Sequence, residues 1–157
     1  MTSRPLLLAY GTLLDQPSDP QAEAAVRRHT RDRGAASVPA RLYDLGPFPG
    51  AVPLGADEEP AAARVYGRLL ELLAPRRVLP VLDAYEDCDP ERPYAGLYRR
   101  EQAVAVPLAA PQGPRPCLVY WLNRRPPGAP LIAGGDWLEH VRGRPLAERG
   151  PADQRAR

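Results

Sequence analysis

The sequence predicts an α+β fold, because five apolar segments typical of strands are combined with two helical segments that do not alternate with them regularly. One helical segment follows the first strand and the other follows the third, whereas a parallel βαβ protein would place a helix after nearly every strand. A length of 157 residues, with 44% hydrophobic and 25% charged residues, is typical of one globular domain.

The first elements follow from local signals near the N-terminus. The apolar run at 6–13 predicts a buried strand. The residues at 18–20, Ser-Asp-Pro, predict a helix start, with a capping side chain and a proline at the first helical position. Segment 21–33 continues that helix and Gly34 predicts its end. Its apolar stripe has helical spacing and consists of Ala22, Ala25, Val26 and His29.

The later elements are four strands and one helix. Strands are predicted at 37–45 and 62–73, separated by a Pro/Gly-rich loop with an acidic tip. Pro80 is predicted to open a short helix that carries Val78, Leu82 and Tyr85 on one face. Two strands follow at 102–108 and 116–122, and the first of them alternates large with small residues, the large ones being Val104, Val106 and Leu108.

The organisation indicated by composition is a domain at 1–140 and an Arg/Pro-rich tail at 141–157 that we expect to be poorly ordered. No apolar run approaches the roughly 18 residues that a membrane span needs, so we expect no membrane partner. The N-terminus lacks the pattern of a signal peptide, and Cys88 and Cys117 form neither a metal pattern nor a disulfide framework. These features predict a cytoplasmic protein without a metal site or other cofactor.

The charge of the chain excludes some classes of function. A formal net charge of +2 is too small to indicate nucleic-acid binding. All 21 basic residues are arginine, and the absence of lysine excludes Schiff-base chemistry. Abundant Arg, Pro and Ala are typical of a GC-rich bacterial genome and do not by themselves indicate a function.

The most informative motif is Tyr10-Gly11-Thr12-Leu13, which lies at the end of the first apolar run. Successive main-chain N–H groups in such a turn form a concavity that suits an anion, and Thr12 adds a hydroxyl group. Taken alone, the motif is more typical of a tight turn that closes a hairpin.

Six segments in a fixed order extend this observation over roughly residues 5–140. They are Tyr10-Gly11-Thr12-Leu13, the stretch from Leu42 to Gly50, the stretch from Val65 to Leu72, Leu82-Asp83-Ala84-Tyr85-Glu86, Tyr98-Arg99-Arg100 and the stretch from Ile132 to Trp137. In this order they resemble the γ-glutamylcyclotransferase-like family, also called AIG2-like. The resemblance implies a small mixed-strand β-barrel with flanking helices. It also implies an enzyme that cyclises a γ-glutamyl group to 5-oxoproline and releases an amine or amino acid.

The resemblance assigns roles to particular residues. Glu86 matches the acidic residue that serves as general acid/base in the family, whereas by itself it could be a surface acid at a helix end. The turn that lines the family's pocket corresponds to Tyr10, Gly11, Thr12 and Leu13. Tyr98 and Tyr120 are candidates to donate hydroxyl groups to the substrate or, alternatively, are core aromatics with satisfied hydroxyls.

Other residues carry weaker expectations. Arg99 and Arg100 could bind a substrate carboxylate, but on an exposed strand we expect them to be solvated. Asp136 and Trp137 are expected to cap and anchor a terminal element, and Cys88 to be a bystander thiol.

Two departures from the family pattern affect the expected substrate. Asp87 replaces a glycine that follows the catalytic acid, and two carboxylates that both face the site would repel each other. The stretch 88–96 is longer than in the compact family pattern. The leaving group therefore stays open, as do activity itself and a non-catalytic binding module on the same fold. We expect a small-molecule γ-glutamyl substrate and a monomer or weak homodimer.

Overall fold

The computed structural model describes residues 3–14, 17–109 and 113–142. In chain order its elements are β1 (Leu6–Ala9), α1 (Pro20–His29), β2 (Thr30–Asp44), β3 (Pro49–Pro53), β4 (Arg64–Leu72), α2 (Pro75–Tyr85), β5 (Tyr98–Pro107), β6 (Arg115–Leu122), β7 (Leu131–Ile132) and α3 (Trp137–Arg142).

Five of the strands form a closed barrel in the order β2-β4-β1-β6-β5, and β5 pairs back onto β2. The pair of β1 with β6 is parallel, and the other pairs in the barrel are antiparallel. The second half of β2 extends beyond the barrel and pairs with the short strands β3 and β7. The predicted fold class, a small mixed-strand β-barrel with flanking helices, is therefore confirmed.

The strand β1 lies between two hydrophobic clusters, because successive side chains on a strand point to opposite faces. Leu6 and Leu8 point into the barrel, where every barrel strand contributes buried side chains and Trp137 of α3 joins them. Leu7 points outward and packs with buried residues of α1 and α2. Both faces of β1 are thus buried, which explains why the sequence there is continuously apolar rather than alternating.

The helix α1 begins as predicted but ends earlier. Asp19 is the N-cap, its carboxylate accepts a hydrogen bond from the main chain of Gln21, and Pro20 is in the first turn. The helix stops at His29 instead of residue 33, because Thr30 already pairs with Leu72 of β4. Gly34, expected as the helix end, has a φ of +105° within an irregularity of β2. Strand pairing therefore ends the helix where its apolar stripe ends, before the stop signal at Gly34.

Other elements also differ from the prediction. β1 ends at Ala9 because the chain turns at Gly11, well before residue 13. α2 starts at Pro75, so Pro80 lies inside the helix rather than at its beginning. The strand β3 occupies a segment that was predicted to be a loop, since Gly50 to Val52 carry no strand pattern of their own. They form a strand because they pair with β2.

The alternation of β5 is present, but its large residues face solvent. Val104, Val106 and Leu108 are 53%, 41% and 56% exposed, whereas Ala105 is fully buried. A five-stranded barrel is narrow, and its interior at this level is filled by small side chains such as Ala36 and Ala105.

The end of the described chain is the helix α3. Asp136 accepts a hydrogen bond from the main chain of Glu139, and Trp137 is buried, as expected for a cap and an anchor. α3 extends to Arg142, so residues 141 and 142 of the predicted tail are helical, and 143–157 lie outside the described residues. Among the described helices, none has the length and apolar character needed to cross a membrane.

Candidate active site

A cleft at the end of β1 brings together every residue that the sequence analysis proposed for the site. It contains about 340 Å³ of open space including its mouth, but a water-sized sphere can be centred in only about 20 Å³, so the cleft is narrow. Its lining consists of Leu7, Leu8, Ala9, Tyr10, Gly11, Thr12, Leu13, Pro49, Glu86, Tyr98 and Tyr120.

Glu86 is placed in the cleft by the end of α2. The apolar face of this helix, which includes Leu82 and Tyr85, is buried against the barrel. The main-chain N–H of Glu86 still donates to the carbonyl of Leu82 at 2.9 Å, so the residue is held on the last helical turn. Glu86 is only 8% exposed and is one of the residues that line the cleft. The alternative of a surface acid is wrong.

The turn opposite Glu86 is closed by a hydrogen bond of 3.0 Å from the N–H of Leu14 to the carbonyl of Gly11. Within the described residues, the main-chain N–H groups of Gly11, Thr12 and Leu13 donate no main-chain hydrogen bond. These N–H groups can therefore serve as donors to an anion in the cleft.

Gly11 is required by space rather than by its backbone conformation. A Cβ atom at this position would lie 3.1 Å from Cγ of Pro49, closer than side chains normally pack, and its φ is not in the positive region. Thr12 links the turn to α2, because its hydroxyl and that of Tyr85 are 2.6 Å apart. The turn and the helix end that carries Glu86 are thus directly connected.

The tyrosine hydroxyls of the cleft are used mainly within the protein. The hydroxyl of Tyr10 donates to the carbonyl of Tyr120 at 2.6 Å and accepts from the N–H of Ala51 at 3.1 Å. The hydroxyl of Tyr98 donates to the carbonyl of Pro49. Each hydroxyl has one hydrogen to donate, so these tyrosines hold the walls together and cannot donate the same hydrogen to a ligand.

A partly buried ion pair involves Asp83, one helical turn before Glu86, and was not predicted from the sequence. Both carboxylate oxygens of Asp83 accept hydrogen bonds from the guanidinium of Arg100, at 2.9 and 3.0 Å. The hydroxyl of Tyr120 donates to the same carboxylate at 2.7 Å. A polar residue one helical turn before Glu86, within an otherwise apolar face, was the available signal for Asp83.

The two arginines of β5 are paired rather than solvated, which corrects the expectation for both. Arg100 is held by Asp83, whose carboxylate raises the pKa of this guanidinium. The guanidinium of Arg99 lies 3.2 Å from the carboxylate of Glu101, donates to the side chain of Asn123 and covers the ring of Tyr94. Each of the two guanidinium groups therefore already has a protein carboxylate as its ionic partner.

Asp87 does not join Glu86 in the cleft. It is exposed, adopts a φ of +51°, and its carboxylate accepts a hydrogen bond of 3.0 Å from the main chain of Leu97. The side-chain amide of Asn123 holds the same loop through the carbonyls of Pro93 and Gly96. The condition for repulsion between the two carboxylates, that both face the site, is not met.

The cysteines are poor nucleophiles. Burial and the negative charge of Asp83 raise the pKa of Cys88, and burial raises the pKa of Cys117 to about 11. Both thiols are protonated near neutral pH, so the reactive thiolate is scarce. In the part of the chain that the structure describes, no group of three or more His, Cys, Asp or Glu residues is arranged to hold a metal ion.

The arrangement can bind a short zwitterion. Glu86 offers a carboxylate for a cationic group, the turn offers N–H donors for an anionic group, and the walls between them include the apolar side chains of β1. A buried carboxylate within reach of a bound amine can also take up a proton and return it.

Comparison with known proteins identifies the family of this chain. A family model described as "Gamma-glutamyl cyclotransferase, AIG2-like" matches residues 7–139. No curated protein sequence matches the chain.

Solved structures support the same fold. YkqA from Bacillus subtilis is 19% identical with a TM-score of 0.59; the match covers 94% of this chain but only 43% of YkqA. An AIG2-like protein from Mus musculus is 20% identical with a TM-score of 0.58, covering 82% of this chain and 86% of that one. The protein ytfP from Escherichia coli is 24% identical with a TM-score of 0.54, covering 86% and 97%. At these identities the structures show the fold, and the family model shows the membership: this chain belongs to the gamma-glutamyl cyclotransferase, AIG2-like family.

Proposed function

We propose that the protein is a γ-glutamyl cyclotransferase that converts a γ-glutamyl compound into 5-oxoproline and a free amine or amino acid, with Glu86 as general acid/base. The observation that carries the proposal is the cleft in which the buried Glu86 lies together with the N–H groups of the Gly11–Leu13 turn. Membership in the family supports the class of reaction.

The reaction needs no external nucleophile, because the α-amine of the substrate attacks its own γ-carbonyl carbon. Glu86 takes a proton from the α-ammonium group before the attack. A new C–N bond closes the five-membered ring, Glu86 passes its proton to the leaving nitrogen, and the original γ-amide C–N bond breaks. The ring nitrogen then gives up its second excess proton to the released amine, which departs as an ammonium group. Holding the chain folded is itself effective, since well-oriented intramolecular reactions reach effective molarities of about 10⁵–10⁸ M.

The other end of the substrate is held by the turn after β1. The N–H groups of Gly11, Thr12 and Leu13 bind the α-carboxylate or stabilise the oxyanion that develops on the γ-carbonyl. Tyr10, Tyr98 and Tyr120 form the walls that keep the glutamyl chain bent. Possible substrates are a γ-glutamyl amine, a γ-glutamyl dipeptide or a γ-glutamylated metabolite.

The test is incubation of the protein with a panel of these γ-glutamyl compounds and detection of 5-oxoproline by mass spectrometry. For a compound that reacts, Glu86→Gln should lower kcat by at least about 10²-fold, because the amide has nearly the same shape but cannot accept the proton. Glu59→Gln is the matched control, since Glu59 is exposed in the loop between β3 and β4. A wild-type kcat for Glu86→Gln would exclude Glu86 as the base. Binding without any 5-oxoproline would favour a non-catalytic binding module.

A further inference from the structure

The hydroxyl group of Tyr120 donates its hydrogen to one fixed partner. Its single hydrogen is donated to Oδ1 of Asp83 at 2.7 Å, and the residue also lines the cleft that contains Glu86. A phenol that has donated its hydrogen offers only oxygen lone pairs to any other partner. Toward a ligand, Tyr120 is therefore a hydrogen-bond acceptor.

Asp83 keeps the hydroxyl in this state. Its two oxygens are fixed by Arg100 through the two-point contact that an arginine makes with a carboxylate, and only a small fraction of Asp83 is exposed. Burial, followed by the negative charge of Asp83, raises the pKa of Tyr120 far above its ordinary value. The hydroxyl consequently stays protonated, and its hydrogen stays directed at Asp83.

The local charge also favours a cation. Asp83 and Arg100 form an ion pair, and Glu86 brings a second acidic side chain to the cleft that Tyr120 lines. The negative charges of Asp83 and Glu86 both contribute to the raised pKa of the phenol. This end of the cleft thus combines a carboxyl group with an acceptor hydroxyl, and both suit an ammonium group.

We propose that the Tyr120 hydroxyl oxygen accepts a hydrogen bond from the α-ammonium group of the γ-glutamyl substrate, and that Asp83 is a positioning residue that holds the hydroxyl in this orientation. The inference rests on the proposed function for the identity of the ligand. Tyr120 and Glu86 then select substrates that carry a free α-amine, the group that must attack.

The experiment measures binding, so that it does not depend on turnover. All variants are made in the Glu86→Gln background, and calorimetry gives Kd for γ-glutamyl methylamide and for the mono-N-methylamide of glutaric acid, which lacks only the α-amine. Tyr120→Phe should weaken the first ligand roughly tenfold to a hundredfold, the range of a hydrogen bond to a charged group, and leave the second unchanged. Tyr66→Phe, on β4 outside the cleft lining, is the control and should change neither Kd.

Asp83→Asn separates positioning from a merely structural effect. It should raise Kd for the amine-bearing ligand by about twofold to tenfold. In the presence of Tyr120→Phe it should raise Kd no further, because both changes remove the same interaction. If Asp83→Asn does not fold, as judged by circular dichroism, Tyr120→Phe alone decides the role of the hydroxyl.

The possible results separate the inference from the proposed function. If Tyr120→Phe weakens the binding of both ligands equally, or of neither, the inference is overturned while the proposed function stands. Additive losses for Asp83→Asn and Tyr120→Phe overturn the role of Asp83. If neither γ-glutamyl methylamide nor any other γ-glutamyl compound binds, the proposed function is wrong and the inference falls with it.

Discussion

At the scale of single residues, Gly11 and Thr12 contribute to the same turn in different ways. Gly11 provides space, since a Cβ atom there would meet Pro49, whose carbonyl holds Tyr98. Thr12 provides a hydrogen bond to Tyr85, the neighbour of Glu86. The two residues can therefore be separated by mutation.

Gly11→Val should abolish the production of 5-oxoproline, because its branched side chain presses on Pro49 and displaces the cleft wall. Thr12→Ala should lower kcat/KM by no more than about tenfold, since it removes one hydrogen bond worth about 0.5–1.5 kcal/mol. Steady-state kinetics with a substrate identified from the panel measure both. Equal and negligible effects would mean that the motif is only a turn.

The site shows how far sequence reasoning reaches at this scale. Glu86 and the turn at 10–13 could be located because each lies in one of the six segments whose order along the chain resembles the family pattern. The contact of Asp83 with Arg100 and Tyr120 could not, because the three residues come from α2, β5 and β6 and meet only in the closed barrel.

At the scale of elements, the sequence pattern fails to predict which face of β5 points into the barrel. Alternation of large and small residues identifies a strand but does not say which set faces the interior. In most half-buried strands the large residues face the core. Here the small side chain of Ala105 points into the narrow barrel, and Val104 faces solvent. The volume available inside the barrel, which no local pattern encodes, determines the orientation.

Neighbouring substitutions test this orientation. Val104→Thr should change the free energy of unfolding by no more than about 0.5 kcal/mol, as is usual at a surface position. Ala105→Leu should destabilise the protein by about 1–3 kcal/mol, because it overfills a packed interior. Urea denaturation measures both values. The reverse order of effects would mean that β5 presents its other face to the core.

Boundaries between elements were missed for a related reason. The helix was predicted to continue from His29 to the stop signal at Gly34, but Thr30 gains pairing with Leu72 and becomes the start of β2. The strand β3 has prolines at both ends and little pattern of its own, and it is a strand because β2 extends far enough to pair with it. Long-range pairing, rather than propensity, sets both boundaries.

At the scale of the whole molecule, closure of the barrel removes the free edges that an open sheet would have. Each of the strands β1, β2, β4, β5 and β6 has a paired neighbour on both sides. Among the strands of the described residues, β3 has β2 as its one pairing partner, so it is an edge. The barrel strands should therefore open together, whereas β3 can open separately.

Native-state hydrogen exchange can measure this difference. Amide protons of β1 should exchange with a free energy equal to that of global unfolding from denaturant titration, because β1 cannot leave without opening the barrel. Amide protons of β3 should exchange through a smaller, local opening. Exchange of β1 at a lower free energy than β6 would contradict a barrel that opens as one unit.

The parallel contact between β1 and β6 also affects how the protein is made. Tyr10 and Tyr120, which hydrogen-bond across this region, are 110 residues apart, so the ribosome completes one long before the other. At a synthesis rate of about 5–20 residues per second, the apolar strand β1 waits several seconds or more for its partner. During that time β1 can already pair with β4, but the barrel around its leucines cannot close. The cleft exists only after β6 has emerged, so a chain truncated before residue 115 lacks both a closed barrel and the wall that carries Tyr120.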